Sequence, residues 1–566
     1  MNRPWMMAPH ERPIRLSLTR EQWALAALLL ATTLYWTFAF HPFLVPNNDF
    51  YTFEDAARSM AEGRLPLESK RLPLFPALMG LLSRLLGGEH PELQAALLWN
   101  AAFSLATLAL LFRLASRAIG PGGVLVPVLV AATVPFQVTG LQPLVEPSLA
   151  FTVVLTFVLF QARSPWQYAA AAAVGLGRYD ALTLVPVMAA VNGFAEGKPG
   201  RHALLGLLAA SPVLLWRALA ALTHPDGGSY LDLMAGMGFA PAPSFAVKAL
   251  EEALAPLRAR GPLLLAFALP TALPLLVGIR SGLRECRRDA SLLLLFFVSA
   301  VAAVVVFGVP KARYAAPVAW IPVLFWVWGA FRLCEVAAPR LSQRTVTLIG
   351  TAGALGLLGV LIADLGAMHQ RPSMLWFPVA ATWSLTLVAL AAVPLLADSQ
   401  RIPRPLGLVA LACAALLVTT SIARVQTSLR NVRYANYGSW QLAEWARGGL
   451  EPTDAIVVLN VGAFKHLTGL PNERVRNFAV SGADSPAELA AYMRSHGITH
   501  VGFAWRRAPE SSSAHYYHRR KNVDLAREFA NGAPVEQFEY VTRLEAPASL
   551  DQGDAHVYRV LTTAAD

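Results

Sequence analysis

Asp49 is the carboxylate whose surroundings first suggest chemistry. It lies in Pro46-Asn47-Asn48-Asp49-Phe50-Tyr51, on a short tether between an apolar run that ends near residue 41 and a helical pattern that opens at Thr52. A carboxylate fixed where the chain leaves a membrane, at headgroup depth, is suited to take a proton from a bound nucleophile. The structural alternative is a turn aspartate that caps the following helix. Glu146 begins another apolar span just after Pro143. It could orient an acceptor, assist Asp49 or hold a metal, or it is simply a first-turn carboxylate favoured by the helix dipole. Basic residues recur beside other apolar runs: Lys70 and Arg71, Arg178, then Lys311 and Arg313. Such cations either neutralise an anion, which the arginine fork binds bidentately, or snorkel from a span end to the interface. His41, His90, His224 and His369 share no fixed spacing, so no metal centre is assigned and a divalent metal stays an open option.

Holding such residues in place falls to membrane helices. The 566 residues are 55% hydrophobic and 15% charged, with a mean hydropathy of +0.45, against roughly 25% charged in soluble domains. Three cysteines exclude a disulfide framework. The net charge of +11 sits in short loops between apolar runs, which speaks for topology and against nucleic acid. Runs of about 20 apolar residues give about 13 candidate transmembrane helices, near 22–41, 93–117, 122–140, 143–162, 166–176, 180–195, 202–222, 261–279, 289–308, 313–333, 345–363, 374–396 and 405–423. The fifth and sixth are short, and one broken helix is the rival reading there. Every second loop is basic, among them Arg113 and Arg117, Arg163, Lys198 and Arg201, and Arg284 to Arg288. By the positive-inside rule the N-terminus is then cytoplasmic, the protein is multi-pass in the plasma (inner) membrane, and the C-terminal segment is periplasmic.

Residues 1–423 form the membrane part, with outer loops at 42–92 and 223–260, and 424–566 form an extracytoplasmic domain. The domain alternates strand-like runs (Ala455–Asn460, His500–Ala504, His556–Leu561) with helical ones (Pro486–His496, Asn522–Ala530), so it reads as a soluble α/β domain. In the first outer loop, Thr52 and Asp55 resemble a capping box. Phe53, Ala56, Ala57 and Met60 form one face, Glu54, Asp55, Arg58 and Glu62 the other, and Gly63 ends the run. That predicts an amphipathic helix lying at the membrane surface. The apolar stretch after Lys70-Arg71-Leu72-Pro73-Leu74-Phe75-Pro76 is read as a re-entrant or surface helix, because a further crossing would move every later basic loop to the other side. The cluster from Arg506 to Lys521, basic and aromatic, reads as a solvated loop, with anionic headgroups or an acidic glycan as the alternative.

The same residues resemble a known family. Asp49-Phe-Tyr-Thr-Phe53-Glu-Asp55-Ala-Ala57-Arg58-Ser-Met60-Ala-Glu-Gly63 is similar to the first-loop signature of the GT-C glycosyltransferases, especially the branch of the protein O-mannosyltransferases and the lipid A aminoarabinose transferase. Leu72 to Pro76, Leu144-Val145-Glu146-Pro147, Gly175-Leu-Gly-Arg178-Tyr179-Asp180 and Arg313-Tyr314-Ala-Ala-Pro317 resemble later motifs in order, with Tyr179 replacing a proline. The resemblance implies a polytopic GT-C enzyme that moves a sugar from a polyprenyl-phosphate carrier to an extracytoplasmic glycan, lipid or protein, with inversion. Asp49 would then be the general base, with Glu146 beside it. Arg313, Tyr314, Lys311, Arg178, Lys70 and Arg71 would meet the lipid phosphate. Two rivals are a lipid or glycolipid flippase without transferase chemistry, and an anchored receptor. Candidate charges gathered at one face and the absence of an evident internal repeat speak against the flippase, and thirteen spans are excessive for an anchor.

Overall fold

The computed structural model describes residues 20–39, 46, 48–66, 71–88, 90–131, 133–223, 261–306, 314, 316–337, 437–478, 481–504, 523–547 and 554–561. Lys70, Lys311 and Arg313 lie outside the described residues, as do the segment 506–521, the second long loop and the candidate spans at 345–363, 374–396 and 405–423.

The helical part opens with α1 (Arg20–Ala39), α2 (Asn48–Ala61), α3 (Leu74–Ser83) and α4 (Pro91–Ile119). Pro91 and Glu92 suit the start of α4, where a missing N–H is harmless and the dipole favours a carboxylate, and Gly120 at φ +77° stops it. The expected span at 122–140 is divided into a 3-10 turn (Gly120–Val124), α5 (Leu125–Ala131) and α6 (Val134–Gly140). The break has a local cause: Thr133 is extended and caps α6, and a proline follows at its first turn, so the preceding helix cannot run through.

Next come α7 (Glu146–Gln161), α8 (Gln167–Gly177), α9 (Leu184–Glu196), α10 (Pro199–Thr223), α11 (Gly261–Glu285), α12 (Arg287–Val306) and α13 (Trp320–Ala337). Two of the described helices, α4 and α10, are long and apolar enough to cross a membrane by length and composition, and α10 exposes a row of leucines. The centre of the bundle is a ring cluster in which Phe157 of α7 meets Phe296 of α12 and Trp320 of α13. Gly278 of α11 and Gly329 of α13 let their two backbones touch: a Cβ on either would collide with the other helix's carbonyl oxygens, those of Phe325 and Pro274.

A polar knot fixes which ends lie together. Arg288 at the start of α12 donates to Asn192 Oδ1 near the end of α9 (2.7 and 3.1 Å) and to the Phe160 carbonyl at the end of α7 (3.3 Å). Asn192 in turn donates to Gln167 Oε1 (3.2 Å) and the Tyr168 hydroxyl (3.3 Å) at the start of α8. Tyr168 reaches His202 of α10, and His202 reaches Glu196. Since the start of α8 meets the end of α9, the two run antiparallel as a hairpin, which removes the broken-helix alternative. One end of the bundle thus collects the loops at Arg163, Lys198, Arg201 and Arg288. The start of α7 and the turn after α8 belong to the other end.

All five described strands come late in the chain: β1 (Ile456–Val458), β2 (Val475–Asn477), β3 (His500–Ala504), β4 (Phe538–Leu544) and β5 (Ala555–Val560). Their order is β2-β1-β3-β5-β4, with β1 parallel to β2 and β3, and β5 antiparallel to β3 and β4. Helices α14 (Tyr437–Gly449), α15 (Val461–Thr468), α16 (Pro486–Ser495) and α17 (Val523–Ala530) cover the sheet. The core closes around Phe529, ringed by Phe478, Phe503, Phe538 and Tyr558. Of these elements α14, α15, β2 and β4 escape the sequence reading. β2 has three residues, and β4 is mostly exposed, so neither carries an apolar run.

Candidate active site

The helix carrying Asp49 begins earlier than expected. Asn48 opens α2, so Asp49 sits in its first turn and not on a tether, a place where the dipole stabilises a carboxylate. Thr52 donates its hydroxyl to the Asp49 carbonyl (2.9 Å) as an internal residue of the helix. Arg71 then grips this turn at two points, with Nη2 donating to Asp49 Oδ1 (2.7 Å) and Nε to Thr52 Oγ1 (2.6 Å). Its guanidinium also lies 4.5 Å from the centre of the Phe53 ring. The cation read as a phosphate ligand is therefore engaged with the carboxylate read as a base.

Apolar packing holds the grip in place. Phe53 meets Phe75 of α3 edge to face at 5.5 Å, and Gly80 lets α3 approach α2 so closely that a Cβ there would strike the Ala57 carbonyl. Trp99 of α4 donates to the Leu78 carbonyl (2.9 Å), which ties α3 to the bundle. Phe50, next to Asp49, belongs to the same buried cluster as Val145, next to Glu146. Glu146 itself is buried at the first turn of α7. The fully buried Asn100 of α4 secures that turn by donating to the carbonyls of Gln142 and Leu144.

Arg178 and Tyr314 also meet. The Arg178 guanidinium lies 4.5 Å from the centre of the Tyr314 ring and pairs with Asp180 through Nε (2.9 Å) and Nη2 (2.6 Å). The fork edge expected to meet phosphate is occupied by Asp180. Nη1, buried, has no hydrogen-bond partner among the described residues. Asp49, Arg71, Glu146, Arg178 and Tyr314 thus fall at the end of the bundle opposite the Arg288 knot. No group of three or more His, Cys, Asp and Glu is gathered for a metal among the described residues.

A second cluster flanks α2 and was not read from the sequence. Glu54, expected on a solvent or headgroup face, is 2% exposed because α15 covers it. A carboxylate only accepts, so His466 of α15 donates from Nδ1 to Glu54 Oε2 (3.0 Å), and Arg58 donates to Glu54 Oε1 (2.8 Å) and Glu92 (3.3 Å). His90 stacks on His466 at 4.3 Å between centroids. Burial alone would weaken the Arg58 cation, but the neighbouring Glu54 and Glu92 more than offset it and raise its pKa. The Tyr51 phenol is pushed up as well, first by burial and then by Glu54. Glu54 and His466 are 412 positions apart, and no local pattern announces such a pair.

A helical bundle whose first loop folds into two packed helices against a late α/β domain is the fold of this chain, and solved structures share it over nearly the whole of its length. No family profile matches the sequence, and no curated protein does. Among solved structures the chain is similar to ArnT from Cupriavidus metallidurans bound to undecaprenyl phosphate, with a TM-score of 0.56 and 13% identity over 97% of this chain and 100% of that one. It is also similar to the archaeal oligosaccharyltransferase AglB from Archaeoglobus fulgidus in complex with an inhibitory peptide and a dolichol-phosphate (TM-score 0.50, 12% identity, 96% of this chain and 75% of that one).

Proposed function

We propose that this protein is a membrane glycosyltransferase that moves a sugar from a polyprenyl-phosphate carrier to an extracytoplasmic acceptor. The observation that carries the proposal is the gathering of Asp49 with Arg71, Glu146, and Arg178 with Tyr314 at one end of a GT-C bundle. ArnT and AglB, two of the similar structures, hold undecaprenyl phosphate and dolichol-phosphate, which supports a carrier of the same chemical class here.

In this reading Asp49 takes the proton of an acceptor hydroxyl or amine. The acceptor's lone pair forms the new bond to the anomeric carbon from the face opposite the phosphate, the C–O bond to phosphate breaks, and the configuration inverts. The electron pair leaves on the lipid phosphate, whose growing charge calls for cations already in position. Arg178 offers Nη1 to it, and Lys311 and Arg313, just before Tyr314 in sequence, are assigned to the same task, with Lys70 beside Arg71. Arg71 orients the base through its two-point grip. Glu146 receives the acceptor. A flippase would carry the lipid across the membrane and leave the sugar–phosphate bond intact.

The test is transfer in proteoliposomes supplied with undecaprenyl-phosphate mannose or undecaprenyl-phosphate aminoarabinose and an envelope extract, with products read by mass spectrometry. Asp49→Asn preserves size, so transfer should drop by about 10²- to 10⁴-fold while undecaprenyl phosphate still binds. Full activity of Asp49→Asn together with loss in Glu146→Gln would move the base to Glu146. Carrier movement without any transferred sugar would favour the flippase.

A further inference from the structure

The C-terminal domain touches the membrane part at the helix that carries Asp49. Two faces of α2 are covered: Phe50, Phe53 and Ala57 pack toward α3 and the bundle, and Tyr51 and Glu54 turn toward α15. On α15 the matching residues are Gly462 and His466, one turn apart. A Cβ on Gly462 would lie 2.8 Å from Tyr51 Cβ, so the two helices are in backbone-level contact there. His466 edges against the Tyr51 ring at 5.3 Å and the Phe50 ring at 6.2 Å while its Nδ1 binds Glu54. The side chains of Glu54 and His466 are 3% and 5% exposed.

A carboxylate buried to this degree is destabilising unless its partners are in place. Arg58, on the same helix, moves with α2 and cannot fix its position relative to the bundle. Among the groups that reach Glu54, those that can are Glu92 at the start of α4, acting through Arg58, and His466 from the domain, beside the grip of Arg71 on the first turn. α15 itself is rigidly held: Asn460 caps it by accepting from the Ala463 amide (3.3 Å), Gly469 at φ +69° ends it, and it joins strands β1 and β2. The sheet therefore presents His466 to α2 at a set distance.

We propose that the C-terminal domain serves as the outer clamp of the catalytic loop, with His466 a positioning residue that fixes α2, and hence Asp49, through Glu54 and the Gly462–Tyr51 contact. The inference rests on the reading of Asp49 as the base. It gives the domain a task in the transfer step independent of what acceptor it recognises. A displacement of about 1 Å at a reacting group costs about 10²-fold in rate, so a loosened clamp lowers turnover without abolishing carrier binding.

The experiment compares the full chain in nanodiscs with His466→Ala, His466→Asn and Gly462→Val. Asn places an amide donor where Nδ1 stood, and Val wedges α15 off Tyr51. Amide exchange over residues 50–58, undecaprenyl-phosphate affinity, and kcat and KM with undecaprenyl-phosphate mannose or aminoarabinose are measured for each. His466→Ala and Gly462→Val should speed exchange in α2 about tenfold or more and lower kcat about 10- to 100-fold. Carrier affinity and KM should hold, and His466→Asn should restore most of both losses. Unchanged exchange in α2, or normal kcat with a loosened α2, overturns the clamp. Asp49→Asn run in parallel separates the two ideas: if it is fully active the base assignment fails, and the exchange data alone still decide whether α15 fixes α2.

Discussion

Arg71 is the residue on which the two readings of the candidate site diverge. The sequence places it among the phosphate ligands, whereas its guanidinium spans Asp49 and Thr52 and lies over Phe53. Arg71→Lys keeps the charge but loses the two-point geometry. If Arg71 orients the base, kcat should fall about 10- to 100-fold with undecaprenyl-phosphate binding kept. Weaker carrier binding with kcat intact would return Arg71 to the phosphate. Asp49 and Arg71 were both visible in the sequence as a carboxylate and a cation near one span. Their pairing was not, because 22 positions separate them and only the fold of α3 back onto α2 brings them together.

At the scale of elements, the contact of α11 with α13 makes the sharpest demand. Gly329→Val puts a branched side chain against the Pro274 carbonyl, and overpacking of this kind costs about 1–3 kcal/mol or more. Thermal unfolding in detergent should show a clear loss, and an unchanged midpoint would mean the two helices separate freely. The sheet makes a different demand. Burial is the chief cause that holds the imidazoles of His500 on β3 and His556 on β5 below their ordinary value of 6.5, against the pull of Asp454 and Asp554. The unfolded chain then binds protons that the folded sheet refuses, so stability is full above about pH 6.5 and declines as pH falls below it. Amide exchange of residues 500–504 and 555–560 in the full chain, corrected for intrinsic rates, should accelerate between pH 7 and 5.5. Constant protection would show that the two rings titrate as they do in water. These strands were legible as apolar runs, whereas the broken segment at 120–140 was not, since its hydropathy is continuous and only Thr133 and the proline after it signal the break.

For the whole molecule, the clustering of the loops at Arg163, Lys198, Arg201 and Arg288 at one end of the bundle agrees with the alternation of basic loops in the sequence. A cysteine at Gly448, in open space on the sheet domain, should react with an impermeant reagent from outside the cell, and one at Gly200 should not. The reverse pattern would put Asp49 in the cytoplasm and end the extracytoplasmic assignment. Helices such as α4 and α10 were readable because each carries its own apolar signal. The junction with the sheet was not, because it consists of a few side chains that meet only after both parts have folded. That junction also sets an order in time. Glu54 waits for a partner made 412 residues later. At roughly 5–20 residues per second of synthesis the delay is on the order of 20–80 s, during which α2 stands with a wet, unburied carboxylate. The contact between α2 and α15 therefore forms only after α15 has been delivered and folded onto the sheet. A chain that stops before residue 466 lacks the imidazole that Glu54 binds, and α2 keeps only its contacts with α3 and α4.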